Sequence, residues 1–234
     1  MSGFDFSGQR VCVIGASRAG IGAAIARSFA DAGAIVTITG VEAAPAEEDR
    51  TRFAYAQLDV TDGAAVTAFA EASDGLDVLV NCAAITSRGE EMGEDAFSRI
   101  MDINLHGSLR TAKAFHSQLA ATKGSVINIA SMYAQFGSPQ NPAYGASKAG
   151  VQQLTKSLAI AWAGDGVRVN AVAPGFIVTA QSERSRQNPE HVENVTKRTP
   201  MGRWGQPVDI AGVVLFLDSP QAAFITGACV PVDG

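Results

Sequence analysis

Apolar and polar positions are arranged along this chain in two alternating registers. Short, nearly unbroken apolar runs fall at residues 10–15, 34–39, 52–58, 76–81, 125–130, 167–172 and 228–232. Runs of that length between turn residues predict strands buried on both faces. Between them the apolar residues recur at helical spacing over 21–32, 64–71, 94–121 and 208–217, with 94–121 read as two helices. A further helix is predicted from Pro142, where Asn141 suits the N-cap and Pro142 the first helical position, to stops at Gly164 and Gly166. Residues 41–50 are polar and read as loop; 177–204 are polar with helical turns. Regular alternation of strand and helix predicts an α/β fold, a mostly parallel sheet covered by helices on both faces. Such sheets bind ligands outside the carboxyl ends of their strands.

Composition narrows the classes. The chain has 234 residues, 47% hydrophobic and 18% charged, enough to bury one sizeable core in one domain over 1–234. No shift in composition and no repeat marks a second domain. A formal net charge of −5 without a basic patch argues against a nucleic-acid partner. No apolar run reaches the roughly 18 residues of a membrane span, and no signal peptide is visible, so a cytoplasmic protein is expected. Cys12, Cys82 and Cys229 lie in apolar, strand-like runs, which suggests buried thiols in a reducing compartment. With His106, His116 and His191 they lack metal-ligand spacing, so no metal is expected.

The chemistry centres on residues 131–148. Tyr144 and Lys148 stand four apart at the start of the predicted helix and therefore share a face. A free tyrosine, with a pKa of about 10, is a poor base near neutrality, and a neighbouring ammonium favours its phenolate. Such a pair can exchange a proton with an alcohol or carbonyl. Alone, it is also what two surface residues on a helix look like. Ser131 changes the balance, because it ends the strand-like run 125–130, where an open α/β sheet holds its ligand.

Together, Ser131 and Tyr144-x-x-x-Lys148 resemble the signature of the short-chain dehydrogenase/reductase family, and the resemblance extends over essentially the whole chain. It implies a doubly wound Rossmann-like fold, a seven-stranded sheet in the order 3-2-1-4-5-6-7. It implies hydride transfer between a nicotinamide cofactor and an alcohol or ketone: a sugar or polyol, a 3-oxoacyl group or a cyclic alcohol. Tyr144 is then the proton donor and Ser131 holds the reacting oxygen. Lys148 lowers the tyrosine pKa and bonds the nicotinamide ribose, while Asn104 fixes a water that relays protons to the lysine.

The other motifs follow in family order. Gly15-Ala-Ser17-Arg18-Ala-Gly20-Ile21-Gly22 resembles the glycine-rich phosphate loop. Its spacing departs from the family pattern: either Ala16 stands at the first glycine, or Gly15 does and the loop carries one extra residue. Asp59 and Val60 match an Asp-Val pair that meets the adenine. Asn81 matches the first asparagine of a motif beside the cofactor, with Cys82 and Ala84 as departures. Pro174, Gly175, Ile177 and Thr179 match the segment under the nicotinamide. At the ribose the usual acid is replaced by Gly40, and Arg18 could pair with a 2′-phosphate, so the reading leans to NADP over NAD without excluding either. Met132, Tyr133, Phe136 and Phe176 are expected as apolar walls of the substrate pocket, with Ser87, Gln135 and Asn141 as polar groups. Broad apolar faces on the helices at 105–119 and 142–163 suggest a homotetramer. An epimerase or dehydratase on the same scaffold, or a nucleotide-binding regulator without chemistry, are the alternatives.

Overall fold

The computed structural model describes residues 3–234. Seven parallel strands form one sheet: β1 Arg10–Ile14, β2 Ile35–Gly40, β3 Ala54–Gln57, β4 Val78–Asn81, β5 Ser125–Ile129, β6 Arg168–Pro174 and β7 Cys229–Val232. Their order is β3-β2-β1-β4-β5-β6-β7, as the resemblance implied. All neighbours pair in parallel register, Ile14 opposite Thr39 on one side and Asn81 on the other. The chain therefore reverses its winding between β1 and β4, which opens a crevice at that end of the sheet.

Helices α1 Ile21–Asp31 and α8 Pro207–Asp218 cover one face. There Ile25, Phe29, Ile210 and Leu215 pack on Val11, Val13 and Ile38. On the other face, helices α2 Gly63–Glu71, α4 Gly107–Thr122 and α5 Pro142–Trp162 bury Val66, Phe115, Leu119 and Leu158 against Cys12, Ile14, Leu79 and Val126. Successive residues of β1 thus serve opposite cores, which is why the strand reads as an unbroken apolar run. Replacing Phe29 or Phe115 by alanine removes a fully buried ring, a loss of about 3–5 kcal/mol.

The structure refines the expected elements in three places. The two helices expected over 94–121, α3 Glu94–Met101 and α4, are joined without a break by a π-helical turn, Asp102–His106. The loop 41–50 contains a 3₁₀ turn, Glu47–Asp49, pinned because buried Asp49 takes both Arg27 Nε (2.8 Å) and Nη2 (2.7 Å) from α1. Residues 177–204 form two short helices, α6 Glu183–Arg186 and α7 Pro189–Arg198. Of the cysteines only Cys12 is buried; Cys82 and Cys229 are half-buried, and all three are free thiols. Among the described residues no helix is long and apolar enough to cross a membrane, and no cluster of His, Cys, Asp and Glu could hold a metal.

Candidate active site

A cleft of about 1230 Å³ runs along the carboxyl ends of the strands. Ser131 enters it from the end of β5; its backbone is still extended, and its Oγ accepts the N–H of Tyr133 at 3.2 Å. Tyr144 and Lys148 enter from the first two turns of α5. The Lys148 ammonium lies 5.7 Å from the centre of the Tyr144 ring and donates to the Ile129 carbonyl at 2.7 Å. Ser131, Tyr144 and Lys148 therefore meet in one cleft as the sequence predicted.

The electrostatics differ from the expectation that Lys148 draws the tyrosine pKa down. Burial pushes the Tyr144 phenol up to about 12; the Ser131 hydroxyl opposes this, while Cys82, Tyr133 and Glu91 add to it. Burial also lowers Lys148 to about 8, with Cys82 opposing. Desolvation disfavours both charged forms, so each group is held nearer neutrality than in water.

α5 starts at Asn141, but the Asn141 side chain does not cap it. That work falls to Glu91, which is 1% exposed and lies 53 residues away in the chain from Tyr144. Its Oε2 accepts the main-chain N–H of Tyr144 at 2.8 Å. Its Oε1 accepts the Thr86 hydroxyl (2.6 Å), the Ser87 N–H (3.0 Å) and the Asn141 amide (3.4 Å). Asn141, expected as a polar group of the pocket, lines the cleft but has its amide engaged there.

Asn104 sits in the π-turn, fully buried. Its amide spans both main-chain groups of Ile85, accepting at 2.8 Å and donating at 3.0 Å, and donates to Ser147 Oγ at 3.0 Å. Its carbonyl receives the Ser108 hydroxyl. Asn104 thus clamps the segment after β4 to α5, while the Lys148 ammonium is hydrogen-bonded to Ile129 O.

At the other end of the cleft, Gly15 has φ +84°, and a Cβ there would lie 2.5 Å from the Ala83 backbone. A Cβ on Gly22 would lie 2.5 Å from the Gly15 carbonyl. Gly15 thus meets the demands of the first glycine, and the loop carries one extra residue before Gly20. α1 begins at Gly20 without a side-chain cap, with Ile21 and Gly22 on the cleft wall. An uncapped helix N-terminus behind a glycine loop fits a pyrophosphate. Asp59 lines the cleft; its carboxylate accepts from Thr61, while Asp62 caps α2, so Asp59 is not the helix cap it could have been. Val60 lines the cleft beside it and packs on Gly107.

The ribose end holds a residue the sequence reading passed over. Glu42, two residues beyond Gly40, folds back so that Ser17 Oγ donates to its Oε2 and Arg18 Nε lies 2.5 Å from its Oε1. Burial pushes Glu42 up, but Ser17, its own N–H and Arg18 outweigh that and leave it below the usual carboxylate range. A side chain at Gly40 would collide with Ser17 Oγ, which explains why the acid stands further along. Pro174, Gly175, Ile177 and Thr179 line the cleft beside Phe176, with Thr179 against Gly20.

Asn81 requires correction. It does not face the cleft: its amide donates to Ser108 O and Asn128 Oδ1 (3.0 Å) and accepts Thr111 Oγ1 (2.7 Å), tying β4 to β5 and α4. Phe136 and Gln135 also miss the cleft, Phe136 being exposed to solvent; the substrate wall is Met132, Tyr133, Phe176 and Trp204.

The arrangement has known counterparts. A family model described as enoyl-(acyl carrier protein) reductase matches residues 15–234. Galactitol 2-dehydrogenase (L-tagatose-forming) of Cereibacter sphaeroides is 38% identical over 99% of this chain and 96% of its own length. Gluconate 5-dehydrogenase of Gluconobacter oxydans is 34% identical over 99% and 95%. The chain belongs to the short-chain dehydrogenase/reductase family. Among solved structures, a gluconate 5-dehydrogenase from Burkholderia cenocepacia in complex with NADP and tartrate superposes on it with a TM-score of 0.91 at 32% identity, covering 100% of this chain and 96% of that one. This short-chain dehydrogenase/reductase is an oxidoreductase of alcohol and ketone groups that uses NADP or NAD. What reading its sequence missed, Glu91 and Glu42, carries no local signal: each is an acid in a polar run, indistinguishable from a solvated one until the fold buries it.

Proposed function

We propose that this enzyme oxidises a secondary alcohol of a polyhydroxylated small molecule, or reduces the matching ketone, with Tyr144 as the proton donor and acceptor. What carries the reading is the meeting of Tyr144, Ser131 and Lys148 in a cleft whose other end fits a dinucleotide. The bound nicotinamide supplies or accepts the hydride. As a carbonyl oxygen gains charge, Tyr144 gives it a proton and Ser131 donates a hydrogen bond to the same oxygen. Lys148, charged below about pH 8, stabilises the phenolate left behind. Oxidation reverses these steps.

Gly15, Ser17, Arg18, Gly20, Ile21 and Gly22 hold the phosphates and ribose, Asp59 and Val60 the adenine side, and Pro174 to Thr179 the nicotinamide. Asn104 acts by fixing the segment after β4. A sugar or polyol substrate is favoured by names among the relatives, galactitol and gluconate dehydrogenases. The chain works as one domain over 1–234, in the cytoplasm, without nucleic acid, as a homotetramer. Tyr144→Phe tests the chemistry: folded protein with turnover reduced at least about 10²-fold is expected. Near wild-type turnover would remove Tyr144 from the mechanism.

A further inference from the structure

Residues 40–42 leave the end of β2, and all three of their carbonyls are held from β3 and the residue after it. Gly40 O accepts the Leu58 N–H at 2.7 Å. Val41 O accepts from Gln57 Nε2 at 2.9 Å. The Tyr55 hydroxyl reaches past its register partner Ile38 to Gly40 O at 3.1 Å and on to Glu42 O. β3 is the edge strand, and within the sheet it pairs with β2 alone. The turn 40–42 has little packing to hold it, Val41 being 59% exposed. These hydrogen bonds are its anchor to the sheet.

The path of that turn decides where the Glu42 carboxylate goes. Oε2 accepts the Ser17 hydroxyl, and Oε1 meets Arg18 Nε at 2.5 Å. Ser17 is tied to the same segment a second time, its carbonyl accepting the Ala46 N–H at 2.8 Å. Ser17, Arg18, Gly40, Val41 and Glu42 line the cleft. Tyr55 stands behind them, its ring packed against the core that holds Val36 and Ile38. Burial, and then the charge of Glu42, raise the Tyr55 phenol above its ordinary pKa, so it keeps its proton and stays a donor.

We propose that Tyr55 is a positioning residue for nucleotide choice: its hydroxyl fixes the turn 40–42 and thereby keeps the Glu42 carboxylate on Arg18. The inference rests on the placement of Ser17 and Arg18 at the ribose proposed above. It adds a selector that acts from the neighbouring strand, through the carboxylate it positions. With the hydroxyl gone, Glu42 leaves Arg18 more often, and Arg18 is then open to the 2′-phosphate of NADP. NAD has no such phosphate and gains nothing.

Nucleotide titrations test this without any substrate, giving Kd for NADPH and NADH from nicotinamide fluorescence. Tyr55→Phe keeps the ring and deletes the hydroxyl. It is expected to shift the ratio of the two Kd values toward NADPH about fivefold, the scale of one neutral hydrogen bond. Glu42→Gln should shift the ratio the same way. Adding Tyr55→Phe to Glu42→Gln should shift it no further, because the hydroxyl acts through the carboxylate. A Tyr55 that served stability alone would weaken both nucleotides together and leave the ratio at its wild-type value, which overturns the inference. A Tyr55→Phe shift that persists undiminished beside Glu42→Gln also overturns it. A ratio unmoved by Glu42→Gln fails the ribose placement and the inference with it; a ratio moved by Glu42→Gln but not by Tyr55→Phe fails the inference alone. Should Tyr55→Phe not fold, Gln57→Ala, which frees Val41 O instead, carries the test. A shift toward NADPH that vanishes beside Glu42→Gln then supports the held turn, and an unchanged ratio overturns it.

Discussion

The carboxylate of Glu91 accepts the main-chain N–H of Tyr144 at 2.8 Å, so the first turn of the active-site helix is capped from a distant loop. All four groups around the carboxylate act as donors to it: the Tyr144 N–H, the Thr86 hydroxyl, the Ser87 N–H and the Asn141 amide. Only an ionised carboxylate offers acceptors on both sides. In Glu91→Gln, whichever way the amide turns, an N–H₂ faces a donor. That variant is expected to lose about 1–3 kcal/mol of stability, the penalty of unpaired buried groups. It should also lose turnover more than about tenfold as the ring of Tyr144 drifts. Thermal unfolding and kcat check it together; wild-type values for both would show that the cap does not position the tyrosine.

A second prediction follows from Lys148. Its pKa, lowered by burial to about 8, means it is charged below that pH and neutral above. Ketone reduction leaves a phenolate that needs the charge, so kcat/KM for reduction should fall as pH rises through about 8. Oxidation starts from the phenolate of a group held near 12 and should rise with pH instead. The folded protein binds this lysine proton less tightly than the unfolded chain does, whose lysine titrates near 10.5. Between those values the unfolded state holds more protons, so Lys148 makes stability rise with pH across that window. A pH–rate profile for reduction that stays flat from 7 to 9.5, or an inflection that persists in Lys148→Met, would count against this.

Much of the site was legible because its residues punctuate regular elements. Ser131 ends an apolar run and Tyr144 opens a proline-started helix, so their meeting needs only the rule that ligands sit at the carboxyl ends of parallel strands. Most strands came out shorter than their apolar runs, though β2 matches its run in length and β6 exceeds it; Leu58, just beyond β3, is buried and still donates its N–H to Gly40 of β2. The π-turn around Asn104 left no trace, since one extra residue in a helical turn hardly disturbs a 3.6-residue period. Asn81 was placed beside the cofactor because it matches the first asparagine of the family motif; the following Cys82 and Ala83 do line the cleft, but the Asn81 amide is taken up by Ser108, Thr111 and Asn128. Glu42 and Glu91 depend on contacts 25 and 53 residues distant, which no local pattern encodes.

Glu42 sets up the test of nucleotide choice. Its carboxylate holds Arg18, the cation expected to pair with a 2′-phosphate. Glu42→Gln frees Arg18 and removes the carboxylate charge, so the NADP-to-NAD ratio of kcat/KM should rise at least about tenfold, one charge-assisted contact. Arg18→Ala should weaken NADP by a similar factor and leave NAD almost unchanged. Equal changes for both nucleotides would separate this pair from the ribose site.

The last prediction concerns assembly, where the helix faces need sorting first. Val151 of α5 turns into the core with Ala130 and Ala171, and Trp162 is stacked under His116 at 4.4 Å, so neither offers an outer apolar surface. Ile160 does: it is 81% exposed on the last turns of the helix that carries Tyr144 and Lys148. Phe224, ahead of β7, and Val208, at the start of α8, are large apolar side chains also left in solvent. Single exposed apolar residues are normal in monomers. If Ile160 lies in one two-fold contact and Val208 and Phe224 in another, the two kinds of contact generate a tetramer. Light scattering at micromolar concentration should give four times the 24.2 kDa of one chain. Ile160→Lys should split that particle into halves by charging one contact, and Phe224→Lys should do so through the other. A wild-type mass near 24.2 kDa would mean these residues are ordinary surface, and a tetramer indifferent to both substitutions would place its contacts elsewhere.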